Sequence, residues 1–263
     1  MSAAPRPPLG VLEAQARAAA QPRELARLLR ALEGDPRAGA AALSERIARR
    51  LAELRAERAR LARLFALRRT LQRAGATHVA GVDEVGMGPL AGPVVAAAVI
   101  LPERAWLPGL HDSKQLTRAA RERLAEAIRK NAVAWAIGEV WPPELDRLNV
   151  YRAGLEAMRR AVTALEPAPD HLLVDARTVP GVSCPQTSLV QGDARDGSIA
   201  AASIVAKVHR DAIMRRLDEE HPGYGFARHM GYATREHLAA LRRLGPCPVH
   251  RRSFLPCVQL PLL

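Results

Sequence analysis

The sequence predicts an α/β or α+β core behind a helical extension. Three observations carry this. Short strand-like runs alternate with segments of helical period after residue 75, and that mix requires helices covering a sheet. Residues before 75 are of another character, with helix formers and no strand signals. At 263 residues the chain has room for one good core and an accessory module.

Residues 1–22 are rich in Pro and Ala without a clear period, which predicts a mobile arm. From about Leu43 to Gln72 the spacing is helical. Ile47, Leu51, Leu54, Leu61 and Phe65 trace one stripe. Arg46, Arg49, Arg50, Arg55, Arg60, Arg63, Arg68 and Arg69 crowd the other faces, and Gly75 closes the run as a C-terminal cap would. Residues 78–85 (HVAGVDEV) and 93–101 (PVVAAAVIL) are strand-like and are joined by the turn GMGPLAG. A helix is expected over 118–130, a strand over 135–141, a helix over 144–165, a short buried strand over 171–175 and a long helix over 198–219. After residue 220 the chain is polar, with little periodicity. The division is therefore 1–74 for the arm and Arg-rich extension, 75–219 for the core and 220–263 for a C-terminal region and tail.

Lys plus Arg number 39 against 27 Asp plus Glu, a formal charge of +12. Such an excess favours a polyanionic partner, nucleic acid above all, through Coulomb attraction and counterion release. The three cysteines are far apart with no CxxC pair, which argues against a disulfide framework and a zinc site. The longest apolar run, Pro93 to Pro102, falls far short of the ~20 residues a membrane helix needs. The N-terminus lacks a signal-peptide layout. A soluble cytoplasmic protein with no membrane contact is expected.

Acids are scarce here, so an acid inside a strand-like run is informative. Asp83 and Glu84 end the first run, Asp175 ends Leu-Leu-Val-Asp, and Asp193 precedes the long helix. Strand ends are where α/β folds place functional sites. Carboxylates that cannot neutralise one another call for cations, and hard oxygen ligands select Mg²⁺ or Mn²⁺. Two such ions about 3.5–4 Å apart would clamp both oxygens of a phosphodiester displacement. Adjacent strand residues point to opposite faces, so Asp83 and Glu84 are expected to share the ions through a bulge or strand end, for which Gly86 and Gly88 provide the backbone freedom. Taken singly, each acid is better explained as a surface or capping residue, and the spacing by itself does not identify a nuclease.

The run GVDEVGMGPLAGPVVAAAVIL (81–101) closely resembles the opening motif of ribonuclease HII. DSKQLT (112–117), ELDRLNVYRAGLEAMRRA (144–161), LLVDA (172–176), GDARDGSIAAASIVAKVHRD (192–211), HPGYGFARHMGYATREH (221–237) and GPCPVHRRSF (245–254) resemble the later motifs in order. The resemblance covers about residues 75–256. It implies a ribonuclease H-like mixed sheet flanked by helices, with a small helical C-terminal region. It implies that Asp83, Glu84, Asp175 and Asp193 bind two Mn²⁺ or Mg²⁺ ions and carry catalysis. The implied reaction is endonucleolytic hydrolysis of the RNA strand of RNA–DNA hybrids, and incision 5′ of ribonucleotides embedded in duplex DNA, leaving 3′-hydroxyl and 5′-phosphate ends. The loop Gly86-Met87-Gly88 is implied to read the 2′-hydroxyl, the group that tells RNA from DNA, largely through its backbone. Tyr232 is implied to sense the ribonucleotide–deoxyribonucleotide junction. Lys114, Lys207, Arg251 and Arg252 sit in matching motifs as candidate phosphate contacts.

The sequence departs from the family pattern at Met87, where most members carry Arg, and at Ala176, a frequent glycine. Asp-Glu-Val-Gly-x-Gly also looks like ribonuclease HIII, so a preference for longer hybrids stays open, as does a nucleic-acid-binding protein without catalysis. Gln259, Leu260, Leu262 and Leu263, with Pro261 between them, look like the short motif by which bacterial replication and repair proteins bind the sliding clamp.

Overall fold

The computed structural model describes residues 6–254, so the tail residues Gln259 to Leu263 lie outside the described part. The chain divides into two compact units, residues 1–63 and 64–263. The first is built from α1 (Leu9–Ala18), α2 (Pro22–Leu32) and α3 (Ala40–Leu64). The mobile arm expected over residues 1–22 is corrected here: from residue 9 it is helix. Leu12 and Ala16 of α1 are buried with Leu25, Leu28 and Leu32 of α2 and Leu43, Ile47 and Leu51 of α3. Alanine at so many α1 positions leaves too faint an apolar stripe to read from one helix alone. Arg50 is not a surface cation, because it turns its guanidinium onto the carbonyls of Ala16, Arg17 (3.1 Å) and Ala19 (2.9 Å) at the end of α1.

The second unit begins where α3 gives way at Phe65 (φ −96°, ψ 16°) to α4 (Ala66–Arg73). The single helix expected over 43–72 is thus two. Phe65 is buried against Gly197, where an added Cβ would fall 2.3 Å from its ring. Arg68 is buried too, donating to the carbonyls of Leu101 and Pro102, both at 2.6 Å.

β1 (Val79–Val85), β2 (Val94–Ile100), α5 (Arg118–Asn131) and β3 (Ala134–Val140) follow. Next come α6 (Pro142–Leu148), α7 (Val150–Thr163), β4 (His171–Asp175) and β5 (Gln186–Leu189). α8 (Gly192–Arg195), α9 (Gly197–Glu220), α10 (Phe226–His229) and α11 (Arg235–Leu244) follow among the described residues. The five strands form one sheet in the order β3-β2-β1-β4-β5. β1, β2 and β3 are antiparallel neighbours, while β4 and β5 run parallel to β1.

Alternation along the strands assigns each face to a helix. Ala80, Val82, Ala96, Ala98, Leu172 and Val174 pack with Ala153, Ala157 and Met158 of α7. Val79 and Leu173 pack with Ile199 of α9. Both helices lie close to the sheet: a Cβ on Gly81 would fall 2.0 Å from the Ser198 backbone, and one on Gly138 2.0 Å from the Ala157 carbonyl. The helix expected over 144–165 breaks at Asn149 (φ 67°), whose side chain then accepts from Arg152 N and starts α7. β5, Gln-Thr-Ser-Leu, is a short polar edge strand and gave no hydrophobic signal. Among the described residues no helix is long and apolar enough to cross a membrane.

Candidate active site

The four predicted acids come from three places at one rim of the sheet. Asp83 and Glu84 are followed on β1 only by Val85. Val82 pairs with Val174, so Asp83 and Asp175, the last residue of β4, are near neighbours across the parallel pair. Asp193 lies in α8 and is buried. Of the two expected routes, a bulge or a strand end, the regular pairing of Asp83 with Ala97 and Glu84 with Ala96 leaves the strand end. The two acids leave opposite faces of the strand one residue before it stops. Asp83 lies on the α9 side, hydrogen-bonded to the Ser203 hydroxyl, which in turn contacts Ser113 Oγ at 3.0 Å. Glu84 lies on the α7 side, with Oε1 3.1 Å from Arg177 Nη2.

Each acid is anchored. Asp83 Oδ1 accepts from Glu84 N at 2.7 Å, and Asp175 Oδ1 from Gly192 N at 2.7 Å. Asp193 Oδ2 accepts from Lys114 Nζ at 3.1 Å. Burial pushes the Asp83 carboxyl well above the ordinary value, and the Glu84 and Asp175 charges add to the rise. Burial also raises Glu84, partly offset by the Arg177 guanidinium, and raises Asp175. Lys114 is raised, chiefly by its hydrogen bond to Asp193. A rim of desolvated, mutually repelling carboxylates is stabilised by cations, and oxygen donors of this kind suit a hard divalent ion. Glu84 Oε2 is buried without a hydrogen-bond partner. Among the described residues no three His, Cys, Asp or Glu side chains already stand as a cage. Asp193 and Glu84 are instead turned toward Lys114 and Arg177.

The predicted substrate residues divide. Lys114 and the loop Gly86-Met87-Gly88 adjoin the acids. Tyr232 is 44% exposed, and a Cβ on Gly88 would stand 3.8 Å from its ring. Arg251, expected as a phosphate contact, is fully buried: its donors reach Gly86 O (2.6 Å), Met87 O (3.0 Å) and Gly92 O (2.9 Å). A guanidinium committed to loop carbonyls cannot also reach a phosphate. Lys207 is paired with Asp211 at 2.5 Å along α9. Arg252 is exposed. The Met87 side chain packs against the α7-side cluster. Sequence reasoning missed Arg177, whose only signal was a cation two residues after Asp175. It also missed Arg210, buried under the same loop and donating to Pro93 O (3.0 Å) and Ala91 O (3.2 Å).

A mixed sheet of this order with acids at its rim is the architecture of ribonuclease H-type nucleases, and comparison with known proteins agrees. The chain is similar to the ribonuclease H2 of Pyrococcus horikoshii OT3, with a TM-score of 0.58 and 26% identity over 69% of this chain and 95% of that one. It is similar to the ribonuclease HII of Archaeoglobus fulgidus, solved in complex with PCNA, with a TM-score of 0.56 and 30% identity over 66% of this chain and 93% of that one. Residues 80–257 match the family model "Ribonuclease HII". The ribonuclease HII of Myxococcus xanthus is 57% identical over 87% of this chain and 78% of its own length. The chain belongs to the ribonuclease HII family. It is therefore a ribonuclease H enzyme, an endonuclease of RNA–DNA hybrids.

Proposed function

We propose that this enzyme hydrolyses the RNA strand of hybrids and incises 5′ of ribonucleotides embedded in duplex DNA, with Asp83, Glu84, Asp175 and Asp193 holding two divalent ions, Mg²⁺ or Mn²⁺. The observation that carries this is the rim itself: four acids from three elements, three of them raised by burial, with a buried Glu84 oxygen left unpartnered. Bound divalent ions would activate the attacking water and stabilise charge on the leaving oxygen. Lys114, which holds Asp193 here, would be available to a phosphate with an ion bound to that carboxylate. Beside the rim, Gly86 O and Met87 O face Arg251. In trans peptides the N–H points opposite the carbonyl, so the amides of Met87 and Gly88 point away from that guanidinium, as donors for a 2′-hydroxyl or phosphate. Tyr232 offers a flat face and a hydroxyl at the junction.

The test is cleavage of a hybrid and of a duplex with one ribonucleotide, with and without Mg²⁺ or Mn²⁺, by wild type and Asp193→Asn. The amide keeps the shape and loses the charge, so activity should fall by at least about a hundredfold. Undiminished, metal-dependent cleavage by the variant rejects the assigned site. A second reading, preference for longer hybrids, is favoured by Met87, whose side chain is apolar and packed inward. The ratio of the two cleavage rates decides it. Because the archaeal relative was solved with PCNA, we also propose that Gln259, Leu260, Leu262 and Leu263 bind the bacterial sliding clamp. A chain ending at Val258 should lose clamp binding in a titration, and equal binding by both chains removes the idea.

A further inference from the structure

Arg177 follows Ala176, a residue in the left-handed region (φ 50°) just past the end of β4. That turn carries the guanidinium across the rim to the Glu84 side. Nη2 meets Glu84 Oε1 at 3.1 Å, and the guanidinium lies over the Tyr151 ring at 5.0 Å. Nη1 is buried with no hydrogen-bond partner. A buried donor without an acceptor costs free energy, and an acceptor that arrives with the substrate would remove that cost. Gly154 makes the arrangement possible: a Cβ there would fall 2.7 Å from Arg177 Nη1 and 3.1 Å from Met87 Sδ. Arg177 and the middle of the Gly86-Met87-Gly88 loop therefore meet over a residue that has no side chain.

The surroundings point to the kind of acceptor. The loop carries no cationic side chain of its own at its exposed surface, because Met87 is a thioether and Arg251 beneath it is spent on carbonyls. The chain has three tyrosines, and two of them, Tyr151 (56% exposed) and Tyr232 (44% exposed), stand beside this rim. An aromatic face under a guanidinium holds it flat and desolvates one side, which favours a bidentate anion over a carbonyl. Met87 Sδ shares with Nη1 the space over Gly154, and its unbranched, flexible side chain can move at low cost.

Resting on the nuclease reading above, we propose that Arg177 is a substrate-binding residue that takes a backbone phosphate of the strand lying over the Gly86–Gly88 loop. Arg177 supplies from the turn after β4 the cationic contact that the loop lacks at Met87.

The experiment measures binding of the full chain to a fluorescent RNA–DNA hybrid, in EDTA and across a salt series. The variants are Arg177→Ala, Glu84→Gln, the double variant of these two, and Arg177→Ala with Met87→Arg. Arg177→Ala should weaken binding about tenfold or more and flatten the log–log salt slope by about one. The same loss should persist in the Glu84→Gln background, where the carboxylate that Arg177 pairs with is gone. Met87→Arg should restore most of the affinity and the slope in the Arg177→Ala chain, because the new guanidinium enters the same space. Unchanged affinity and slope in Arg177→Ala overturn the proposal. So does a loss that vanishes in the Glu84→Gln background, because Arg177 would then act only through Glu84. A loss that Met87→Arg fails to recover overturns it as well. Absence of metal-dependent cleavage by wild type would sink the nuclease reading alone, since the metal-free binding comparison judges Arg177 independently.

Discussion

Two buried guanidiniums decide what the Gly86–Pro93 loop can offer. Arg251 and Arg210 are both fully buried, and both donate to loop and neighbouring carbonyls. Carbonyls drawn inward leave amides outward, and two positive charges lie beneath those amides. Gly86 is required for this, since it sits at φ 90° and a Cβ would meet Arg210 Nε at 2.3 Å. The sequence could not show it. Resemblance carried the identity of Arg251 but not its burial, and an arginine in a polar stretch reads as a solvent-facing cation until the packing is known. The acids were legible for the opposite reason. Singly each could be a surface or cap residue, but Asp83, Glu84 and Asp175 close apolar runs in a basic chain and Asp193 opens the long helical stretch, and the structure brings all four to one rim. Arg177 was hard to read because an alanine at 176 masks the left-handed turn that aims it, and only the frequent glycine of the family at that position pointed to such a turn.

At the scale of elements, strands with strong apolar runs were legible to within a residue or so: 78–85, 93–101 and 171–175 became β1, β2 and β4. Breaks at Phe65 and Asn149 were not, because each is imposed by a tertiary contact or a local side-chain cap rather than by Pro or Gly. The helical C-terminal region had little readable period because α10 is only four residues long and α11 buries a histidine, His237, beside Ala240 and Leu241. Cys247 N donates to His250 Nδ1 (3.0 Å), His250 Nε2 meets His237 Nε2 (3.1 Å), and His237 Nδ1 meets Tyr232 O (2.9 Å). The chain closes only if both rings are neutral, each with one donor and one acceptor nitrogen. Burial lowers His237, and burial with the nearby His237 lowers His250 from 6.5 to about 4. A depressed histidine binds its proton more weakly folded than unfolded. Its contribution is therefore intact above pH 6.5 and is lost as the pH falls from there toward about 4. Thermal midpoints should decline across that window in wild type and decline less steeply in His250→Gln, whose midpoint near neutrality should already be lower. Parallel pH profiles for the two chains would show that the histidines do not carry the effect.

For the whole molecule, the division into units fixes where the extension ends. The sequence placed residues 1–74 together, because helical period and arginine content run on to Gln72. Packing instead ties α4 to the sheet-bearing unit. Leu67 and Leu71 pack against Val79, Leu173 and Ile199, while Arg68 binds the carbonyls after β2 and Phe65 fills the space over Gly197. The first unit has its own apolar core and presents exposed Arg49, Arg55 and Arg63 on α3. Removing residues 1–63 should therefore leave the catalytic unit folded, with kcat near that of wild type. It should weaken hybrid binding and flatten the salt slope by roughly one for each arginine that neutralises a phosphate. Removing residues 1–74 should cost far more than affinity, because the loss of buried Phe65 alone is worth about 3–5 kcal/mol. Calorimetry and hybrid binding of the two shortened chains check both parts. An unchanged salt slope after removal of residues 1–63 means that the arginines of α3 are only solvated. Equal thermal midpoints for the two chains mean that α4 does not belong to the core.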